Sequence, residues 1–249
     1  MLQNKKMHFG ILGLGRFGQC LAKLLLPFGR VIAHDLLLSS SPIEGVRFVS
    51  LEEVARAEVL FLLVPIASFR ECCEQVAKHI TPSTLIVDAC SVKMFPLQIM
   101  RETFSSDQPL MAMHPLFGPD SIKASGGTNS HKIVLCTETQ EASAQHMRAI
   151  FEQMGLEIMV LSAEEHDQAM AHTQALAHFL GRAPALSAQQ NYFSTPSFEL
   201  LKNMAHMVTQ DQEELFFDMH RYNPFTQAVR EQFLEQLTTL HQTLNQLSS

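Results

Sequence analysis

The sequence Gly-Leu-Gly-Arg-Phe-Gly at residues 13–18 is the feature that most limits the folds open to this chain. The apolar run at residues 8–12 precedes it and predicts a buried strand, while the apolar spacing of residues 17–26 predicts a helix. A second strand is predicted at residues 31–34, and Asp35 follows it, 17 positions after the motif. A glycine turn between strand and helix, followed by an acidic residue, predicts a dinucleotide-binding Rossmann domain rather than an ordinary turn.

Each glycine of the motif has its own expected role. Gly13 permits the tight turn, Gly15 lets the backbone approach a pyrophosphate at the positive helix end, and Gly18 lets helix and strand pack closely. Asp35 is expected to accept hydrogen bonds from ribose hydroxyls. Because a carboxylate repels a 2′-phosphate and no arginine follows directly, the predicted cofactor is NAD rather than NADP. The predicted cofactor-binding residues are Gly13, Gly15, Arg16, Phe17, Gly18, Asp35, Val64 and Pro65.

Strand and helix patterns alternate up to Ser162 and then give way to helical patterns alone. The alternation predicts an α/β fold with a doubly wound, mainly parallel sheet, whose ligands bind beyond the carboxyl ends of the strands. We therefore expect a dinucleotide-binding Rossmann domain at residues 1–162 and an all-α domain for substrate binding and dimerisation at residues 163–249.

Four helices are predicted in the second domain, at residues 164–190 with a possible kink at Pro184, 197–209, 211–220 and 226–247. The helix at 197–209 carries an apolar face that predicts homodimerisation. An internal core of the helical domain explains the same face equally well. The residues of this face are Leu200, Leu201, Met204, Met207 and Val208.

Composition excludes several classes of function. The net charge is −7 and the longest basic tract is Lys5-Lys6, which argues against nucleic acid or an anionic membrane as a partner. No apolar run approaches the length of a membrane span, and no signal peptide is recognisable. The five cysteines form no CxxC pair and predict reduced thiols in the cytoplasm. The histidine spacing and the absence of HExxH predict no metal site.

Residues 113–120, Met-His-Pro-Leu-Phe-Gly-Pro-Asp, are the main candidate for chemistry. They follow a predicted strand at residues 110–113. Two prolines and a glycine predict a rigid turn that is neither helix nor strand. A histidine held at a strand end by such a turn is suited to act as an acid or base, although a solvated loop histidine explains His114 as well.

Four motifs in this order resemble the prephenate dehydrogenases of tyrosine biosynthesis and the related arogenate dehydrogenases. They are the glycine motif with Asp35, Asp-Ala-Cys-Ser-Val-Lys at residues 88–93, the histidine motif at 113–121, and Glu-His-Asp at 165–167 with Gln-Ala-Leu-Ala-His-Phe at 174–179. The resemblance covers about residues 9–225. It implies an NAD(P)-binding Rossmann domain and dimerisation through helices.

The resemblance also implies a reaction. A cyclohexadienol loses hydride to the nicotinamide and its hydroxyl proton to a base, CO2 departs, and the ring becomes aromatic. His114 matches the catalytic histidine, Ser91 matches a serine that supports the hydroxyl and the histidine, and His178 matches a histidine of the substrate pocket. The predicted function is NAD-dependent oxidation of the small molecule prephenate to 4-hydroxyphenylpyruvate.

The position of the family's carboxylate-binding arginine is less well matched. Arg221 is the nearest candidate, and Lys202, Arg182 or a residue of a partner subunit are alternatives. Arogenate therefore remains open as the substrate. A non-catalytic dinucleotide-binding sensor is a further alternative. A β-hydroxyacid dehydrogenase is disfavoured because Lys202 lacks the companion motif that such enzymes carry.

Overall fold

The computed structural model describes residues 7–136, 142–183 and 193–247. It divides into two compact units, residues 1–164 and residues 165–249. The strands, in chain order, are β1 (Met7–Leu12), β2 (Gly29–His34), β3 (Arg47–Phe48), β4 (Val59–Leu62), β5 (Leu85–Asp88), β6 (Leu110–Pro115), β7 (Lys132–Leu135) and β8 (Glu157–Val160). The helices are α1 (Arg16–Leu25), α2 (Leu51–Val54), α3 (Phe69–Val76), α4 (Met94–Thr103), α5 (Pro119–Ser125), α6 (Ala142–Gln153), α7 (Ala163–Met170), α8 (Leu176–Gly181), α9 (Pro196–Thr209), α10 (Glu213–Tyr222) and α11 (Thr226–Leu247).

The first unit is built on one eight-stranded sheet with the order β3-β2-β1-β4-β5-β6-β7-β8. Neighbouring strands are parallel except β6 and β7, which are antiparallel. The first six strands follow the 3-2-1-4-5-6 order of a Rossmann sheet, so the predicted fold class is confirmed. The order reverses between β1 and β4, where such sheets bind their ligands.

The core of the first unit lies along the central strands. Every residue of β4 and β5 is buried, which fits a parallel strand with helices on both faces. The helix α1 buries Leu21, Ala22 and Leu25 against this sheet. The predicted strands agree with the observed ones within a few residues, because continuous apolar runs bounded by polar residues mark buried strands well.

The second unit contains helices in its described residues, as predicted. The single helix expected at residues 164–190 is wrong in part. A π-helical turn at Ala171–Ala175 separates α7 from α8, and α8 ends at Gly181. A Cβ on Gly181 would lie 2.5 Å from the Val208 side chain, so α8 packs too closely on α9 there for a larger residue. Residues 184–190, with the proposed kink at Pro184, lie outside the described residues.

A side-chain cap explains where α9 begins. Thr195 accepts a hydrogen bond from the Phe198 N–H at 3.3 Å, and Pro196 occupies the first position of α9. The helix α11 has the bounds that its apolar pattern predicted. Of the helices described, none combines the length and apolar character needed to cross a membrane.

Candidate functional site

The glycine turn joins β1 to α1 with little room for side chains at two of its three glycines. Gly13 has φ +103°, and a Cβ there would lie 2.3 Å from the Leu63 carbonyl oxygen. A Cβ on Gly18 would lie 2.1 Å from the Gly13 oxygen. Gly15, by contrast, has no heavy atom within 4 Å of such a Cβ. Two glycines are therefore required by packing, while Gly15 leaves open space at the N-terminus of α1.

Asp35 lies directly after β2 and faces this turn. Its Oδ2 accepts the Leu14 N–H at 2.7 Å, and its Oδ1 accepts the Leu37 N–H at 2.8 Å. Each carboxylate oxygen has a second lone pair, so both can still accept a hydroxyl. Leu36 and Leu37 are 88% and 94% exposed and bring no positive charge. The turn and Asp35 together fit a dinucleotide whose ribose has a free 2′-hydroxyl.

The other predicted cofactor residues lie near the same sheet edge. Leu12 of β1 pairs with Leu62 of β4, and Val64 and Pro65 lie two and three residues after the end of β4. Arg16 lies in the first turn of α1 and forms an exposed ion pair with Asp120 of α5, 2.6 Å from Nη2 to Oδ2. Sequence reasoning had not predicted α5, whose first residue is Pro119.

His114 does not lie in a turn, and the prediction that residues 114–115 exclude a strand is wrong. His114 is 4% exposed and pairs with Val134 of β7, and Pro115 pairs with Ile133. Bonds from Cys136 N to the Ala112 oxygen and from Leu116 N to the Lys132 oxygen flank this stretch. By the alternation of an antiparallel ladder, the nitrogen of Pro115 faces away from β7, so its missing N–H breaks no bond.

A buried ion pair, absent from the predicted site, lies beside His114. The Lys93 Nζ lies 2.7 and 2.6 Å from Oδ1 and Oδ2 of Asp88, and 2.6 Å from the carbonyl oxygen of Met113. Both side chains have 0% exposure. We call Asp88, Lys93 and the Met113 carbonyl the strand-end lysine cluster. Its sequence signal was an aspartate at a strand end with a lysine five positions later, inside a stretch that is otherwise apolar or small.

The same cluster shapes the loop that carries Ser91. Asp88 Oδ1 also accepts the Cys90 N–H at 2.8 Å, which folds the chain back after β5. Burial raises the pKa of Asp88, whereas the ammonium of Lys93 and the Cys90 N–H lower it. Burial also raises the pKa of the Cys90 thiol well above its ordinary value, so Cys90 is a poor nucleophile. Ser91 is half-buried in this loop.

In the second unit, His178 lies on α8 and is buried. Its Nε2 is 3.7 Å from Asp211 Oδ2, and its Nδ1 has no hydrogen-bond partner among the residues that the structure describes. Burial lowers the pKa of His178, the Asp211 carboxylate raises it, and Arg182 lowers it. The imidazole therefore favours its neutral form while keeping one nitrogen available.

Arg182 holds Asp211 in place. Its Nη2 donates to the carbonyls of Asp211 at 2.7 Å and Val208 at 3.1 Å, and its Cζ lies 5.0 Å from the ring centre of Phe216. His220, on α10, contacts the same ring at 4.7 Å between centroids. We call His178, Arg182, Asp211 and His220 the helical histidine cluster.

The other candidate cations have different surroundings. Arg221 is exposed in the last turn of α10, and exposed Lys202 pairs with Glu199 at 3.1 Å. Arg182 is thus the cation beside His178 among these three, although sequence reasoning ranked Arg221 first. Arg221 stays a prediction as the ligand of a substrate carboxylate.

His166 and Asp167 form a buried pair, 2.8 Å between Nδ1 and Oδ1. The Asp167 carbonyl accepts from Asn223 Nδ2 at 2.8 Å, which joins α7 to the end of α10. Within residues 7–136, 142–183 and 193–247, no group of three acidic, cysteine or histidine side chains is arranged to hold a metal.

The family model, the two relatives and the solved structure described next are all prephenate or arogenate dehydrogenases by name. The family model described as "Prephenate dehydrogenase, nucleotide-binding domain" matches residues 42–160, which begins after the glycine turn and includes the strand-end lysine cluster. Arogenate dehydrogenase 1, chloroplastic, of Arabidopsis thaliana is 28% identical over 242 residues, covering 92% of this chain and 38% of that protein. Arogenate dehydrogenase 2, chloroplastic, of the same plant is 28% identical, covering 89% of this chain and 65% of that protein.

A solved structure has the same fold. The prephenate dehydrogenase from A. aeolicus, in complex with hydroxyphenyl propionate and NAD+, superposes with a TM-score of 0.71 at 17% identity, covering 98% of this chain and 92% of that chain. The chain thus spans less than two thirds of the length of the two plant relatives, but nearly all of this bacterial fold.

Proposed function

We propose that this chain, which belongs to the prephenate and arogenate dehydrogenase family, catalyses the NAD-dependent oxidative decarboxylation of a cyclohexadienol carboxylate. The observation that carries the proposal is a buried histidine, His114, at the end of a Rossmann strand whose sheet also presents the glycine turn and Asp35. Such a sheet supplies the cofactor platform, and the buried imidazole supplies the base.

Different residues bind the cofactor, accept the proton and bind the substrate. When bound, NAD supplies the hydride acceptor. Asp35 binds its ribose, and the glycine turn receives its pyrophosphate at the N-terminus of α1. His114 accepts the proton of the substrate hydroxyl as carbonyl character develops, a role worth about 10²–10⁴ in rate. Ser91 hydrogen-bonds the same hydroxyl. In the helical unit, His178 stays the substrate-binding residue that the family resemblance implies.

Two substrates are candidates, and they differ in one group. Prephenate, which the sequence analysis favoured, carries a keto group where arogenate carries an ammonium. The carboxylate of Asp211, 3.7 Å from the His178 imidazole, would pair with the ammonium of arogenate and would gain no such pairing from the keto group of prephenate. This arrangement favours arogenate as the preferred substrate, with prephenate as the second candidate.

Turnover distinguishes the alternatives. The purified protein is incubated with NAD+ and either substrate, and NADH is followed by absorbance to give kcat/KM for each. We expect turnover of both, with the larger kcat/KM for arogenate, and a loss of kcat in His114→Asn with NAD+ binding retained. NAD+ binding without turnover of either substrate would instead identify the non-catalytic sensor. Unchanged kcat in His114→Asn would exclude His114 as the base.

We also propose that the protein is a homodimer formed through its C-terminal helices. The last turns of α11 are exposed, and Leu237, Leu240, Leu244 and Leu247 follow one another at spacings of three and four residues. Leucines at these spacings form the apolar stripe of a helix that pairs with another helix.

An open cleft of about 870 Å³ lies in the same unit. Its lining is aromatic and cationic and includes Phe179, Arg182, Phe198, Lys202, Phe216 and Phe233.

Of the predicted apolar face on α9, Val208 is buried, whereas Leu200 and Met207 are exposed and available to a second copy. Light scattering of the wild type and of Leu240→Glu/Leu244→Glu tests the dimer; a monomeric wild type would exclude it.

All five cysteines are free thiols, which supports the expectation of a reducing, cytoplasmic environment.

A further inference from the structure

The ladder between β5 and β6 ends before β6 does. Asp88, the last residue of β5, pairs with Ala112, and β6 continues to Pro115. Backbone carbonyls of a strand alternate between its two edges. The Pro109 oxygen accepts from Ile86 on the β5 side, and the Ala112 oxygen accepts from Cys136 on the β7 side. The Met113 carbonyl therefore faces the edge at which β5 has stopped.

Lys93 occupies that edge. Its ammonium donates to the Met113 carbonyl at 2.6 Å, where the Cys90 N–H would donate if β5 continued; the Cys90 N–H donates to Asp88 instead. The remaining donors reach both oxygens of Asp88, so three acceptors lie within 2.7 Å of Nζ. Cation and carboxylate are both completely buried, and their charges cancel. The lysine is thus tied at once to the end of β5 and to the peptide that precedes His114.

We propose that Lys93 is a positioning residue for His114. The proposal rests on the function proposed above. The Met113–His114 peptide is planar, so a bond that holds its carbonyl also holds the His114 N–H and the direction in which the side chain leaves the backbone. Asp88 keeps the ammonium in place, because its carboxylate is also held by the Cys90 N–H. A misplacement of a catalytic base by about 1 Å lowers the rate about 10²-fold.

Two double variants separate positioning from charge balance. Asp88→Asn/Lys93→Met removes both charges and the donor to Met113. Asp88→Asn/Lys93→Gln removes both charges and retains an amide donor. Both avoid an unpaired buried charge, which a single Lys93 substitution leaves behind. We expect the methionine variant to lose about 10²-fold in kcat, to keep NAD+ affinity and KM, and to shift the pH midpoint of kcat/KM. The glutamine variant recovers part of kcat.

Val76→Ala is the control for stability alone, since Val76 is fully buried in α3 of the same unit. It should lower Tm without moving kcat or the pH midpoint. Equal kcat in the methionine and glutamine variants would overturn the proposal, as would wild-type kcat and pH midpoint in the methionine variant. If the wild type turns over neither substrate, the proposed function fails separately. The His114 imidazole titration, followed by NMR in the same variants without substrate, still tests Lys93, and an unchanged titration overturns it.

Discussion

The two polar clusters of this protein differ in burial and in how completely their polar atoms are hydrogen-bonded. The strand-end lysine cluster is completely buried, and both its charged groups have short hydrogen bonds. The helical histidine cluster is half-open, and His178 Nδ1, Arg182 Nε and His220 Nε2 have no partner within the described part of the chain. Asp211 in that cluster is 40% exposed. A satisfied buried network holds one geometry, whereas buried atoms without a hydrogen-bond partner have bonding capacity for a ligand.

The contrast assigns different work to the clusters. In the first unit, we propose that the buried Asp88–Lys93 pair orients His114 without contacting substrate. In the second unit, the cluster offers a neutral imidazole, a carboxylate and a guanidinium to a small polar molecule. If this difference holds, the strand-end lysine cluster has a structural role and the helical histidine cluster is a binding site.

The largest effect is expected from Lys93→Met, which leaves the Asp88 carboxylate buried without its cation. The free energy of unfolding should fall by about 3–5 kcal/mol, because the buried Asp88 carboxylate keeps its desolvation cost but loses the attraction of the Lys93 ammonium. Urea denaturation measures it. Lys202→Met, which breaks the exposed pair with Glu199, is the matched control and should leave stability unchanged. Equal losses in both variants would remove the distinction between the clusters.

Asp211→Asn tests whether Asp211 of the helical histidine cluster binds the ammonium group of arogenate. The ratio of kcat/KM for arogenate to that for prephenate should fall about 10–100-fold, since a charge-assisted hydrogen bond to the ammonium is lost. Glu213→Gln, at the exposed start of α10, is the control. An unchanged ratio would make prephenate and arogenate equal candidates again.

Arg182→Met removes the donors to the carbonyls of Val208 and Asp211 and so loosens the position of Asp211. We expect a loss of about 1–3 kcal/mol in unfolding free energy, together with a higher KM. Arg221→Met, on the exposed end of α10, should leave the unfolding free energy unchanged. A raised KM in Arg221→Met would support the predicted substrate role of Arg221, and an unchanged KM would exclude it.

The smallest effect concerns His220, whose pKa is lowered from 6.5 to about 4 by burial, by Arg230 and by His178. Between these values the unfolded chain binds a proton that the folded state resists. Stability is therefore lost as pH falls from about 6.5 and levels off below about 4, a loss of about 1–2 kcal/mol after allowance for partial exposure. His220→Gln should flatten this dependence in thermal melts at several pH values, whereas His241→Gln, exposed on α11, should not. A parallel pH dependence in wild type and His220→Gln would contradict it.

Features set by interactions between residues close in sequence could be predicted, whereas features set by contacts between distant residues could not. Most strand and helix patterns, the glycine turn with Asp35, and the cap at Thr195 are local and predictable, whereas α5 and the π-helical turn between α7 and α8 were missed. The position of His114 was missed because the prolines suggested a turn. Whether proline breaks a ladder depends on which edge its nitrogen faces, and that is set by the register with β7.

The sequence by itself determined the Rossmann order of the first unit, the helical character of the second and the identity of the candidate histidines. These follow from apolar periodicity and turn chemistry, which act over a few residues. Only the tertiary structure decided that Lys93 reaches the carbonyl before His114, and that Asp211 lies beside Arg182 and His178. Those contacts join residues 20 and 29 or more positions apart, where burial and pairing decide the partner and spacing along the chain does not.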